Sequence, residues 1–167
     1  MIDDDVNIFV FRIDNYTSEK AVLDILLPFS EDYQIHFTNK QLSERFSDNL
    51  IAIVEYKSFL FLLTFLGDAF YGDKTHQLFK KWCVQEAKDS INYVNSNTVS
   101  FSCVDIRESG KSTRHISENT GVLEIHYGDS TQYEINGKYP RQILESYIGF
   151  PLHELNDCLF DVVILKK

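Results

Sequence analysis

The sequence is poor in glycine, proline and cysteine, and each shortage removes a class of chemistry. Seven glycines in the whole chain leave no dinucleotide fingerprint and no glycine-framed nucleophile elbow, because both need several glycines within a few positions. Three prolines, Pro28, Pro140 and Pro151, give no proline-rich linker, and each stands where an element stops or starts. The cysteines, Cys83, Cys103 and Cys158, are odd in number and lack metal-ligand spacing, so they read as reduced core thiols. No apolar run exceeds the eight residues Phe59–Leu66, whereas a membrane-spanning helix needs about 20. The start, Met1-Ile2-Asp3-Asp4-Asp5, is acidic where a secretory signal is basic and then apolar, so a cytoplasmic protein is expected. The glycosylation-type triplet Asn15-Tyr16-Thr17 then carries no meaning.

Positive charge is scarce as well. Sixteen Lys and Arg stand against 25 Asp and Glu, for a formal charge of −9. Direct binding to nucleic acid or to an anionic membrane needs basic patches, so neither is expected. The balance suits a basic partner or mimicry of nucleic acid. It is also uneven: residues 1–73 are net −8, residues 74–116 net +3 and residues 117–167 net −4. The middle of the chain can therefore supply a mild basic patch, and Asp3-Asp4-Asp5 a contact for a basic partner.

What is abundant is aromatic: thirteen Phe and nine Tyr. These rings suit a large core, and exposed Tyr suits a binding surface. At 167 residues one domain spanning 1–167 buries about two-thirds of its unfolded surface and needs no staple. Residues 6–13, 33–37, 50–56, 59–66, 98–106, 122–127, 131–135 and 158–165 read as strands, with 59–66 open to a buried-helix reading. Helices are expected from Thr17-Ser18 to Pro28, from the capping box Thr38-Asn39-Lys40-Gln41 to about Ser47, from Asp73 to about Val94, and from Pro140 to Gly149. Glu108–Asn119 reads as a polar loop, and 122–127 with 131–135 as a hairpin turning at Gly128-Asp129-Ser130. The sum is an α+β fold: a mixed, mostly antiparallel sheet of about six to eight strands with about four helices packed on it.

Motif tests return no reactive centre. Glu108-Ser109-Gly110-Lys111-Ser112 ends like a phosphate-binding loop, but Asp105 occupies the position of its first glycine, and a carboxylate there repels phosphate. Lys111 and Arg114 in that stretch form at most a small basic contact patch. His153-Glu154-Leu155-Asn156-Asp157 resembles a zinc-protease helix with Asp157 replacing the second His, and two ligands cannot hold zinc without a third. His36, His76, His115, His126 and His153 are scattered, and His126 lies beside Glu124 with no nucleophile in view. No catalytic residue, cofactor or metal is expected from these patterns, although clusters assembled only by folding stay hidden in a sequence.

A small, acidic, aromatic-rich α+β protein without catalytic signatures resembles an immunity protein of a bacterial toxin system, such as contact-dependent growth inhibition. The resemblance is one of type and rests on no motif. It implies a one-to-one complex in which the chain covers the active site of a cognate toxin, often a basic nuclease. The expected contact residues, chosen for predicted exposure, are Glu124, Asp129, Glu134 and Tyr139 on hairpins and loops, with Asp68, Tyr71 and Asp73 before the long helix. Two other readings compete: a regulatory protein that mimics nucleic acid, and an enzyme whose site forms only in the fold.

Overall fold

The computed structural model describes residues 5–13, 34–41, 50–65, 77, 80–82, 84–86 and 88–166. Nine strands among these residues form one sheet: β1 (Val6–Arg12), β2 (Gln34–Gln41), β3 (Leu50–Tyr56), β4 (Phe59–Phe65), β5 (Ser90–Ser96), β6 (Phe101–Glu108), β7 (Lys111–Asn119), β8 (Val122–Tyr127) and β9 (Leu159–Lys166). Their spatial order is β2-β9-β3-β4-β1-β5-β6-β7-β8. Every described pairing is antiparallel, so the α+β class holds while the expected parallel component of the sheet is absent among the described strands.

Tight turns explain this topology. Lys57-Ser58 joins β3 to β4, Ser109-Gly110 joins β6 to β7, and Thr120-Gly121 joins β7 to β8, and all six residues have positive φ. Two consecutive left-handed residues match the twist of antiparallel strands, which is why two-residue hairpin turns adopt them. Residues 59–66, open between strand and helix from their apolar pattern, are strand: Phe59–Phe65 pairs with both β3 and β1.

Helix α1 (Pro140–Ile148) starts on proline and ends at Gly149, whose φ of 80° is the left-handed geometry a helix C-terminus favours. It buries Ile143, Leu144 and Ile148 in a cluster with Val104 and Ile106 of β6, Ile91 and Tyr93 of β5 and Ile116 of β7. Short 3-10 turns, Gln132–Glu134 and Leu152–Asp157, flank it. On the opposite face, residues 80–82 and 84–85 are helical, and Trp82 packs its ring 4.9 Å from that of Phe11 on β1. The sheet is therefore covered on both faces around β1, and β1 and β4 are mostly apolar, with Asn7 and Thr64 buried among their apolar residues.

Several expected elements give way to strand. Thr38–Gln41, read as a capping box, continues β2, because pairing with β9 outweighs a local capping preference. The helix expected to reach Val94 yields to β5, which takes Ile91 and Tyr93 into the sheet. Glu108–Asn119 is not a loop but the β6–β7 hairpin. β8 folds back on β7 instead of pairing with residues 131–135, which leaves Ile125, Tyr127 and Ile135 exposed where an inner face was expected. The expected helix over 17–28 and the remainder of the one after Gln41 lie outside the described residues.

Phe61 is fully buried against Phe59 and Phe150. Phe61→Ala should cost about 3–5 kcal/mol in urea unfolding. Ile135→Ala, at a site 80% exposed, should change stability by less than about 0.5 kcal/mol.

Candidate functional site

α1 covers β5, β6 and β7 on one face. On the other face their alternating side chains line a concavity of about 560 Å³, with Asn92, Phe101, Cys103, Asp105, Arg107, His115, His126, Tyr127 and Lys80 around it. The register builds it: Asn92 pairs with Asp105 and Asp105 with His115, so these three residues lie side by side across three strands. The β7–β8 pairing then sets Tyr127 opposite His115.

Asp105 is the hub. Its side chain is 9% exposed, with Arg107 Nε 3.0 Å from Oδ2 and His115 Nδ1 3.7 Å from Oδ1. Ser112 Oγ donates to Oδ1, and Tyr127 OH donates to the same oxygen at 3.2 Å. Burial pushes this carboxyl up, but hydrogen bonds from His115 and Ser112 and the charge of Arg107 outweigh it and hold the group below its ordinary value. Arg107 donates from Nη1 to the Gly110 carbonyl at 3.1 Å. Its Nε is in ion-pair contact with Asp105 but does not meet hydrogen-bond geometry.

The two histidines meet above this hub. Their ring centroids are 4.8 Å apart, and the His115 ring stacks on Tyr127 at 21° and 5.8 Å. His126 Nε2 is 2.7 Å from Ser117 Oγ and 4.0 Å from Glu124 Oε2. A relay triad needs the carboxylate on the other ring nitrogen. Here one nitrogen faces both partners and Ser117 is buried, so this is not a serine nucleophile. Cys103 is no nucleophile either: burial first, and Asp105 second, push its thiol up to about 11. The arrangement can donate and accept protons through imidazole and can bind a ligand; it presents no activated nucleophile.

The residues singled out for partner contact separate. Glu124 on β8, Asp129 in the turn after it and Tyr139 just before α1 are exposed. Glu134 is not: its side chain is 3% exposed and its Oε2 accepts from Arg114 Nη2 at 2.8 Å, with Arg114 Nε 3.1 Å from Oε1. It is withdrawn as a contact residue because its segment is a 3-10 turn folded onto β7, not the outer face of a strand. Arg114 is accordingly no part of a surface basic patch. Asp68, Tyr71 and Asp73 lie outside the described residues, as do Asp3 and Asp4. Asp5 accepts from Thr98 Oγ1 at 2.6 Å.

Other motif candidates are absorbed by the fold. Glu108 ends β6, Ser109-Gly110 is the turn and Lys111-Ser112 opens β7, so no phosphate-binding loop forms there. Glu154 sits in the 3-10 turn after Pro151 and accepts from Lys57 Nζ at 2.5 Å and Tyr56 OH at 2.9 Å. No helix among the described residues is long and apolar enough to cross a membrane. His115, Ser112 and Asp105 carried no linear signal; the spacing of Ser109-Gly110 and Thr120-Gly121, two hairpin turns eleven residues apart, is the feature that brings them together. No protein-family model matches this chain, nor does any curated protein or solved structure.

Arg114→Met should cost about 3–5 kcal/mol by leaving Glu134 buried and unpaired, and adding Glu134→Leu should recover most of that loss. Burial pushes the Glu134 carboxyl up, but Arg114 and the Thr131 N–H hold it below the ordinary 4.5. A depressed folded value means its contribution is complete above 4.5 and fades as pH falls through the folded value. The stability gap between native protein and Glu134→Gln, followed by urea unfolding, should be widest above pH 4.5 and close on acidification.

Proposed function

We propose that this protein is a binding protein of the immunity type, which neutralises a cognate toxin by capping it with the β8 side of the sheet. One observation carries the reading. β8 is the last strand of the sheet, no described strand pairs with its outer side, and it exposes Val122, Ile125 and Tyr127. Monomeric proteins normally blunt such an edge with short strands, prolines or inward charges, because an open apolar edge recruits another chain. A partner that adds a strand gains main-chain hydrogen bonds from the edge and specificity from alternate side chains. Glu124 and Asp129 flank the edge, and with an overall charge of −9 they favour a basic partner such as a nuclease domain.

A second reading is favoured by the convergence of His115, His126 and Asp105 in one concavity: an enzyme using imidazole as general acid and base. Turnover that disappears in His126→Ala would support it.

Affinity capture from the native host, followed by co-expression with any toxin domain recovered, tests the first reading. Protection of the host cells and a one-to-one complex are expected. Ile125→Lys should weaken the complex by about 2 kcal/mol or more, roughly thirtyfold. Glu124→Lys should mainly slow association and reduce its salt dependence. Full protection by Ile125→Lys, or none by the native chain, would overturn the proposal.

A further inference from the structure

We propose that the concavity on the open face of β5–β8 is a binding site for a small phosphate-bearing ligand with a flat ring, of nucleoside monophosphate size. This does not depend on β8 receiving a protein partner: Tyr127 belongs to both surfaces, but Lys80, Phe101, Arg107 and His115, which also line the recess, lie outside β8.

Charge is the first argument. The protein is net −9, yet the cationic heads lining this recess, Lys80 and Arg107, outnumber the single carboxylate, Asp105. Arg107 pairs with that carboxylate at 3.0 Å, and Ser112 and Tyr127 donate to it, so Lys80 is the cation left over to meet an anion. The recess lining thus carries one positive charge in excess on a protein that is net −9, and the two imidazoles add polar groups at its rim. An oxyanion drawn here is drawn by the site and not by the overall charge.

The second argument is an imperfectly directed donor. Arg107 is 8% exposed, lines the recess, and its Nε lies 3.0 Å from Asp105 Oδ2 without meeting hydrogen-bond geometry. A buried donor that is poorly directed gains from a better-placed acceptor. Guanidinium presents its donors as a planar fork that matches phosphate, and Lys adds a flexible point charge.

Size and shape supply the third. About 560 Å³ falls within the roughly 300–1,000 Å³ usual for small-molecule sites. Phe101 and the stacked His115–Tyr127 pair give flat surfaces for a ring, and stacking on aromatic side chains tolerates any base. A free inorganic phosphate would leave those surfaces unused.

Isothermal titration of the full-length protein decides the matter, with AMP, UMP, adenosine, inorganic phosphate and benzoate as probes. AMP and UMP are expected to bind, and adenosine and inorganic phosphate to bind about tenfold or more weakly, each lacking half of the recognition. Lys80→Ala, on a helix outside the sheet, should weaken AMP by about tenfold, and Phe101→Ala by a similar factor, with Tyr139→Ala unchanged. If Phe101→Ala fails to fold, Lys80→Ala decides alone. No binding by either nucleotide, undiminished binding in Lys80→Ala, or benzoate binding as tightly as AMP would each overturn the proposal. None of these outcomes bears on toxin neutralisation, which is read by cell protection.

Discussion

The buried pair of Arg114 and Glu134 holds the β8 end of this molecule in place. Arg114 stands on β7, and its fork engages both carboxylate oxygens of Glu134 while Nη1 donates to the Gly128 carbonyl. The Thr131 N–H adds a fourth bond, 2.8 Å to Glu134 Oε1. One side chain thus binds the beginning and the middle of the segment between β8 and α1. The arrangement demands close approach: at Gly128, with φ +87°, a Cβ would lie 2.0 Å from the Thr113 carbonyl oxygen, so only glycine fits. Burying two charges is expensive, and the pair is tolerable because its geometry is bidentate and the remaining oxygen sites are filled.

From that anchor follows the two-sided character of the sheet. Pinning residues 128–134 to β7 places Tyr133 against Tyr147 of α1 at 5.0 Å, so α1 lies over β5, β6 and β7 on one face. The other face near β8 has no described helix over it. The sequence follows this division. β1, β3 and β4 are nearly continuous apolar runs, since both their faces are covered. β6 and β7 alternate: Val104, Ile106 and Ile116 face α1, and Cys103, Asp105, Arg107, His115 and Ser117 face away.

Those periodicities explain what was legible beforehand. Apolar runs in β1, β3 and β9 read as strands, β4 stayed open to a buried-helix reading because its run is apolar on both faces, and Pro140 with Gly149 bounded α1 to the residue. β7 was hidden because Lys111–Asn119 holds a single large apolar side chain, Ile116. With one face polar and the other carrying Arg114 beside Ile116, period-two hydrophobicity had nothing to register. Glu134 misled for a related reason: Thr131-Gln132-Tyr133-Glu134 alternates like a strand, yet it has the Thr-x-x-Glu spacing of a helical start, and its carboxylate was needed to neutralise an arginine twenty residues away. β5 was lost to helix because Ile91 and Val94 extend the apolar spacing of the preceding segment. The His115–His126–Asp105 convergence was out of reach, for it depends on a register that only the hairpin turns define.

The polar face also argues against a purely architectural role. A sheet selected for stability alone gains more from apolar side chains beneath a second helix than from a carboxylate at 9% exposure kept ionised by four neighbours. Asp105 and Arg107 incur that desolvation, and the 3.0 Å contact between Arg107 Nε and Asp105 Oδ2 falls short of hydrogen-bond geometry. Departures from local consistency of this kind concentrate where a protein meets a ligand. The basic excess of residues 74–116 points the same way, since Lys80, Arg107 and His115 come from that stretch and line the recess, whereas the exposed acids Glu124 and Asp129 come from the acidic stretch that follows. The chain segregates its charge along the sequence, and the sheet converts that segregation into a cation-lined recess on one face and an acidic edge beside it.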